Sequence, residues 1–137
     1  MHEIFSEDAM ANETNLKDLL KDPSLLATQG YLAGEWVDGD DGATFDVTNP
    51  ARGDVIAKVA YLSRAQTARA IAAAEAAQKE WAAKTAKERA NILRRWYDLM
   101  MKNADDLGTI LTAEQGKPLA EAKGEIGYGA SFIEFFA

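Results

Sequence analysis

Three short stretches hold residue types that chemistry can use. Gly127-Tyr-Gly129 opens like a dinucleotide-binding G-x-G, but Phe132 occupies the position of the third glycine, and the surrounding apolar spacing is helical instead of following a strand. Gly116-Lys117 is followed by Pro118, where a phosphate-binding loop needs Ser or Thr, and no earlier glycine has the required spacing. Glu114 falls near the C-terminal end of an expected helix, where the macrodipole disfavours a negative charge unless a cation is close. Lys117 is one source of that cation and a bound ion is another. Beyond these, the sequence has no cysteine and a single histidine, His2, beside the first methionine. Thiol nucleophiles, thiolate metal centres, disulfides and histidine triads are therefore excluded from these 137 residues.

The remaining charged residues read as surface. Lys84, Lys87, Arg89, Arg94 and Arg95 interleave with Glu80, Glu88 and Asp98, which is the pattern of a solvated helix face. Fifteen Lys and Arg against 22 Asp and Glu give a net charge of -7, which argues against nucleic acid or an anionic membrane surface as a partner. The longest apolar run, 68–77, is mostly alanine and is broken by Arg69 and Glu75, so no membrane span is expected and the expected location is cytoplasmic. With 47% hydrophobic residues the chain has enough apolar material to fill a core.

The elements that must position these residues fall into two parts. Residues 1–23 are expected to be a flexible leader: 1–15 is acidic and lacks a basic or apolar signal region, and at most a turn or two of helix follows before Pro23. Residues 24–137 are expected to form one α+β unit. Between Gly30 and Tyr61, Gly-rich turns separate short β-prone runs, predicting a small antiparallel meander. After Ser63 the period becomes helical. Ser63 with Gln66 and Thr85 with Glu88 have capping-box spacing and mark two helix starts. Ala70, Ala73, Ala74, Ala77 and Trp81 form a small-residue stripe on the first helix, suited to close helix packing. Ile92, Leu93, Trp96, Leu99 and Met100 form the apolar stripe of the second. A third helix ends at Gly116, and a fourth starts with Pro118 at a first helical position and runs through Ala122, Ile126, Ala130, Ile133 and Phe136. Its glycines, Gly124, Gly127 and Gly129, are expected to let a neighbouring backbone approach, with that cover missing from this chain. The chain stops in this pattern without a glycine stop or a basic last turn, which reads as an interrupted element.

Four stretches, in their order and spacing, resemble the N-terminal part of the aldehyde dehydrogenase superfamily: Tyr31-Leu-Ala-Gly-Glu-Trp-Val, Val47-Thr-Asn-Pro-Ala-Arg-Gly-Asp-Val-Ile, Thr85-Ala-Lys-Glu-Arg-Ala-Asn-Ile-Leu-Arg-Arg-Trp and Thr112-Ala-Glu-Gln-Gly-Lys-Pro-Leu-Ala-Glu-Ala-Lys-Gly-Glu-Ile. The last two look most like the succinate-semialdehyde or glutarate-semialdehyde branch. The resemblance implies that 24–137 is the N-terminal part of an NAD(P)-binding domain, α/β in a parent enzyme that oxidises a small semialdehyde through a cysteine thiohemiacetal and forms homo-oligomers. It also implies that the nucleophilic cysteine, base glutamate, oxyanion asparagine, cofactor contacts and oligomerisation hairpin lie beyond Ala137. No catalytic or cofactor-binding residue can then be assigned within the chain, which by itself should be inactive and bind neither NAD nor NADP. Two sets of positions do transfer. Val47 and Thr48, through backbone carbonyls, and Glu114, through its carboxylate, match a structural monovalent cation site. Tyr128 and Phe132 match the helix lining a substrate tunnel; core packing is the other reading of both. A competing account makes the chain a free-standing helical interaction module without enzymatic activity.

Overall fold

A computed structural model of the chain describes residues 15–137. Two strand pairs come first. β1 (Gly30–Leu32) and β2 (Glu35–Val37) form an antiparallel hairpin in which Tyr31 faces Trp36, with ring centroids 5.1 Å apart in an edge-on arrangement. Ala33 and Gly34 make the turn at φ 53° and 91°, so the expensive left-handed positions fall where the hairpin must reverse. β3 (Thr44–Thr48) pairs antiparallel with β4 (Val55–Ala60), with a bulge between Val47 and Thr48. The turn joining them is held by Asn49, whose Oδ1 accepts from the amides of Ala51 and Arg52.

The expected antiparallel strands are therefore present, but as two separate ladders and not one continuous meander. The link from β2 to β3 is drawn away from the strands by Gln66. Its Oε1 accepts from the amides of Asp40 and Ser63 and its Nε2 donates to the Asp38 carbonyl, at 2.8–3.1 Å, from a side chain only 2% exposed. On β4, the Ala60 amide is taken by the Thr28 carbonyl, which precedes β1.

Both predicted capping boxes form. Ser63 opens α1 (Arg64–Ala83) and Thr85 opens α2 (Ala86–Lys102), each exchanging hydrogen bonds with the residue three positions on. α3 (Ala104–Gln115) stops at Gly116, whose φ of 84° provides the left-handed C-terminal residue. α4 (Leu119–Phe135) begins one position later than expected, with Pro118 as the residue that caps it. α4 packs on both α2 and α3, and Ala122 and Ala130 are completely buried there. The close approach that this packing needs comes from Gly108 in α3, where a Cβ would lie 2.8 Å from Lys123 Cγ. Gly124, Gly127 and Gly129, whose neighbour was expected to be missing from this chain, face open space.

Two stripes also behave differently from their expectation. The alanines of α1 meet the β1–β2 turn, not another helix, across a shallow cavity of about 420 Å³ bordered by Tyr31, Leu32 and Gly34. On α2, Ile92, Leu93 and Met100 are half-buried whereas Trp96 and Leu99 are exposed, because the neighbouring helices cover only one side of that stripe.

The buried leucine cluster draws on the stretch expected to be leader. Leu16 and Leu20, from a short 3-10 turn at Leu16–Leu19 and the residue after it, join Leu26 against Ile56, Ile110 and Ala113. This segment is tied to the first turn of α3. Asp106, 5% exposed, accepts from the amides of Lys21 at 3.1 Å and Asp22 at 2.8 Å. Beside it, Asp105 pairs with Lys21 and Lys123 at 2.9 and 2.8 Å. The part of the expected leader within 15–23 is thus packed, and 1–14, with His2, lies outside the described residues.

Candidate functional site

The end of α3 and the turn after β3 come together. The left-handed bend at Gly116 places its backbone against the ring of Pro50, so close that a Cβ there would lie 2.8 Å from Pro50 Cγ. Val47 and Thr48 flank the bulge just before this turn, and Glu114 stands two residues before the bend. The three positions proposed for a cation are therefore carried by two segments that meet. Of the two sources of positive charge open to Glu114, Lys117 is engaged elsewhere: its ammonium pairs with Glu125 on α4, and its side chain is largely buried. Glu114 itself makes no hydrogen bond or ion pair among the described residues, and partial burial raises its carboxyl above the ordinary glutamate range. The residue as a whole is exposed, and a carboxylate at a helix C-terminus is a group that a cation stabilises. Among the described residues no cluster of three or more His, Cys, Asp or Glu side chains forms, so any ion here would have to rely largely on carbonyl oxygens.

One polar group in this region was not legible from sequence. The Thr112 hydroxyl, one turn before Gly116, is buried without a hydrogen-bond partner among the described residues. It borders a cavity of about 270 Å³ together with Leu16, Leu19, Asn49 and Leu119. A mid-helix Thr ordinarily bonds back to a carbonyl of the preceding turn, so periodicity gives no warning of such an orphan.

Tyr128 and Phe132 are brought together on α4, with ring centroids 4.9 Å apart and planes at 80°. Tyr128 is 66% exposed and Phe132 50%, so within this chain neither is core. They stand on the face opposite Ala130, and Phe135 continues the same stripe one turn on. Gly127 and Gly129 lie inside the same continuous helix, and the strands are two antiparallel pairs. Gly127 and Gly129 therefore do not form the glycine turn between strand and helix that marks a dinucleotide-binding fingerprint. No helix among the described residues is long and apolar enough to cross a membrane.

Comparison with known proteins places this arrangement. The profile of the aldehyde dehydrogenase family matches residues 36–137. The glutarate-semialdehyde dehydrogenase of Pseudomonas putida is 58% identical over 118 residues, covering 86% of this chain and 25% of the relative. The crystal structure of succinate-semialdehyde dehydrogenase from Burkholderia pseudomallei superposes with a TM-score of 0.82 at 62% identity, covering 84% of this chain and 24% of that one. A betaine aldehyde dehydrogenase from Staphylococcus aureus, solved in complex with NAD+, gives a TM-score of 0.79 at 29% identity, covering 88% of this chain and 24% of that one. The chain thus spans about a quarter of the length of the relatives it matches.

Proposed function

The chain belongs to the aldehyde dehydrogenase family, and from that premise we propose that it is the N-terminal portion of an NAD(P)-dependent dehydrogenase that oxidises succinate semialdehyde, or a similar semialdehyde, to the carboxylate in the cytoplasm. The observation that carries this reading is the high identity to glutarate- and succinate-semialdehyde dehydrogenases over nearly the whole described chain. Both named substrates are short aldehydes with a distal carboxylate, which supports that substrate class over uncharged aldehydes.

In this reading the present residues supply position and not reaction chemistry. The bonds to the aldehyde carbon are made and broken by groups outside the 137 residues, since the sequence holds no cysteine to add to the carbonyl. A nicotinamide bound to the longer protein would supply the hydride acceptor. Glu114, with the carbonyls of Val47 and Thr48, would hold a structural monovalent cation, which would tie the end of α3 to the turn after β3. Gly116, seated against Pro50, ends α3 three residues before α4 starts. α4 in turn presents Tyr128 and Phe132, whose exposed rings line the approach of the substrate and exclude water from it.

The test is an oxidation assay on the protein read through beyond Ala137. Reduction of NAD or NADP with succinate or glutarate semialdehyde, faster than with betaine aldehyde, is the expected result. No reduction of either cofactor with either semialdehyde would overturn the assignment.

A further inference from the structure

The link between β2 and β3 holds two Asp-Gly steps, Asp38-Gly39 and Asp41-Gly42. An aspartate followed by glycine is open to attack by its own backbone, because no side chain shields the glycine nitrogen. The two steps are held very differently. Gly39 is buried, and a Cβ there would lie 2.7 Å from the Tyr61 carbonyl oxygen. Asp38 is gripped twice, its carbonyl accepting from Gln66 Nε2 at 2.8 Å and its Oδ1 from Gln29 Nε2 at 3.0 Å. Asp41 and Gly42 are both exposed, and nothing lies within 4 Å of where a Cβ on Gly42 would stand. Asp41 Oδ1 accepts from the amide of Ala43 at 2.9 Å, which folds the carboxyl back over the Gly42 peptide between them.

We propose that Asp41-Gly42 is a site of spontaneous backbone isomerisation, at which aspartate becomes isoaspartate in the folded protein. The Gly42 nitrogen attacks Asp41 Cγ. The new C–N bond closes a five-membered imide, and the carboxyl hydroxyl leaves as water with the amide proton. Water then adds to the main-chain carbonyl carbon of Asp41 and breaks its bond to the Gly42 nitrogen, so the chain runs through the former side chain and a carboxylate is left on Cα. One water is released and one consumed, so the mass is unchanged and no oxidant, metal or partner is needed.

The Gly42 amide donates to the Gly39 carbonyl at 2.8 Å, so the turn must open before the nitrogen can attack. The anchors on either side set how often it does. Gln66 Oε1 accepts from the Asp40 amide, Arg69 pairs with the Asp40 carboxylate, and the Ala43 carbonyl accepts from the Tyr61 amide at 2.8 Å. These contacts hold 38–40 and 43 and leave the peptide between Asp41 and Gly42 outside their grip. The product adds one methylene to the main chain and removes the acceptor of the Ala43 amide. Ala43 is then displaced, and with it the Tyr61 contact beside the Thr44 and Ala60 end of the β3–β4 ladder. The inference is independent of the enzymatic reading, since every group it uses lies between Gln29 and Arg69.

The test ages the protein, read through beyond Ala137, in warm neutral buffer and maps the tryptic peptide 22–52, which contains both steps. Electron-transfer fragmentation identifies the β-linkage, and an isoaspartyl carboxyl methyltransferase with a labelled methyl donor counts it. Isoaspartate should accumulate at 41 at least about fivefold faster than at 38, whereas in a synthetic peptide of residues 36–45 the two steps should react alike. Asp41→Glu should abolish the signal at 41, because its longer side chain closes a less favourable six-membered ring. Gln66→Ala should raise the rate at 41 roughly tenfold, since it frees both Asp38 and Asp40 and lets the turn open more often. Arg69→Ala, at an exposed position, provides a second loosening variant should the first fail to fold. Equal accumulation at 38 and 41 in the folded protein, or none at 41 while the peptide isomerises, would overturn the proposal. A rate at 41 unmoved by both loosening variants would overturn it as well.

Discussion

Replacing Asp106 by Ala tests whether the N-terminal segment is part of the folded unit. Its carboxylate is 5% exposed and accepts two backbone amides, from Lys21 and Asp22, at 3.1 and 2.8 Å. A hydrogen bond to a charged group contributes about 1.5–3 kcal/mol, and its loss leaves the donor unsatisfied where it stays buried. Removing both should cost about 3 kcal/mol, the lower end of the sum, because the freed amides can reach water if the segment lifts away. Against a total stability of about 5–15 kcal/mol this is a large fraction. With an m-value near 2 kcal/mol/M, the urea midpoint of the 137-residue chain should fall by about 1.5 M. Asp106→Asn should lose roughly half as much, since one oxygen still accepts from Lys21 while the amide nitrogen opposes the Asp22 donor. Limited proteolysis should also cleave Asp106→Ala sooner after Lys17 and Lys21. A midpoint within about 0.5 M of the parent, with unchanged cleavage, would refute the claim that Leu16 and Leu20 are held in the core through this clamp.

Other consequences follow from the same geometry. Gln66→Ala removes three hydrogen bonds from a side chain 2% exposed, so thermal unfolding should reveal a loss of about 2–3 kcal/mol, with Asp38, Asp40 and Ser63 amide or carbonyl groups left to water. For Asp105, hydrogen bonds from Lys123 and then Lys21 hold the carboxyl at about 2, below its ordinary 3.8. A lowered carboxyl contributes stability that is fully present above the unfolded value and lost as pH falls from about 4 through about 2, so an acid titration of Asp105→Asn should be flatter in that window. The Glu114 carboxyl moves the other way: raised by burial, it favours the fold when protonated, and stability is lost as pH rises from its ordinary 4.5 through the raised value. Glu114→Gln should therefore match or exceed the parent at neutral pH in a tetramethylammonium buffer. Potassium or sodium should then raise the melting temperature of the parent and leave that of the glutamine variant unmoved; equal responses would count against the cation.

Much of the fold was legible because it rests on local chemistry. Ser63, Thr85 and Gly116 act through hydrogen bonds and dihedrals set within a few residues, and each stands where its pattern put it. What the sequence obscured depends on distant partners. Leu16 and Leu20 lie in a stretch whose neighbours are polar, and only the 85-residue separation closed by Asp106 shows them as core. Gly108 serves the α3–α4 contact, while Gly124, Gly127 and Gly129, whose neighbour was expected to lie outside this chain, face open space; a glycine in a helix signals permissiveness without saying which face has a neighbour. The strand pairs separate for a similar reason: alternation marks strands, whereas Gln66, more than twenty residues away, decides that the β2–β3 link leaves the ladder. At the candidate site, the position of Glu114 at a helix end was visible, while the commitment of Lys117 to Glu125 and the orphaned Thr112 hydroxyl arise only from packing.

We propose above that these residues build the scaffold of a semialdehyde dehydrogenase whose reacting groups lie outside them. The most direct measurement is the initial rate of NAD(P)H formation from succinate semialdehyde by the 137-residue chain and, in parallel, by the protein extended beyond Ala137. Turnover by the extended protein and none above buffer by the shorter chain is the expected result. Equal turnover by both, or none by either with succinate or glutarate semialdehyde, would contradict it.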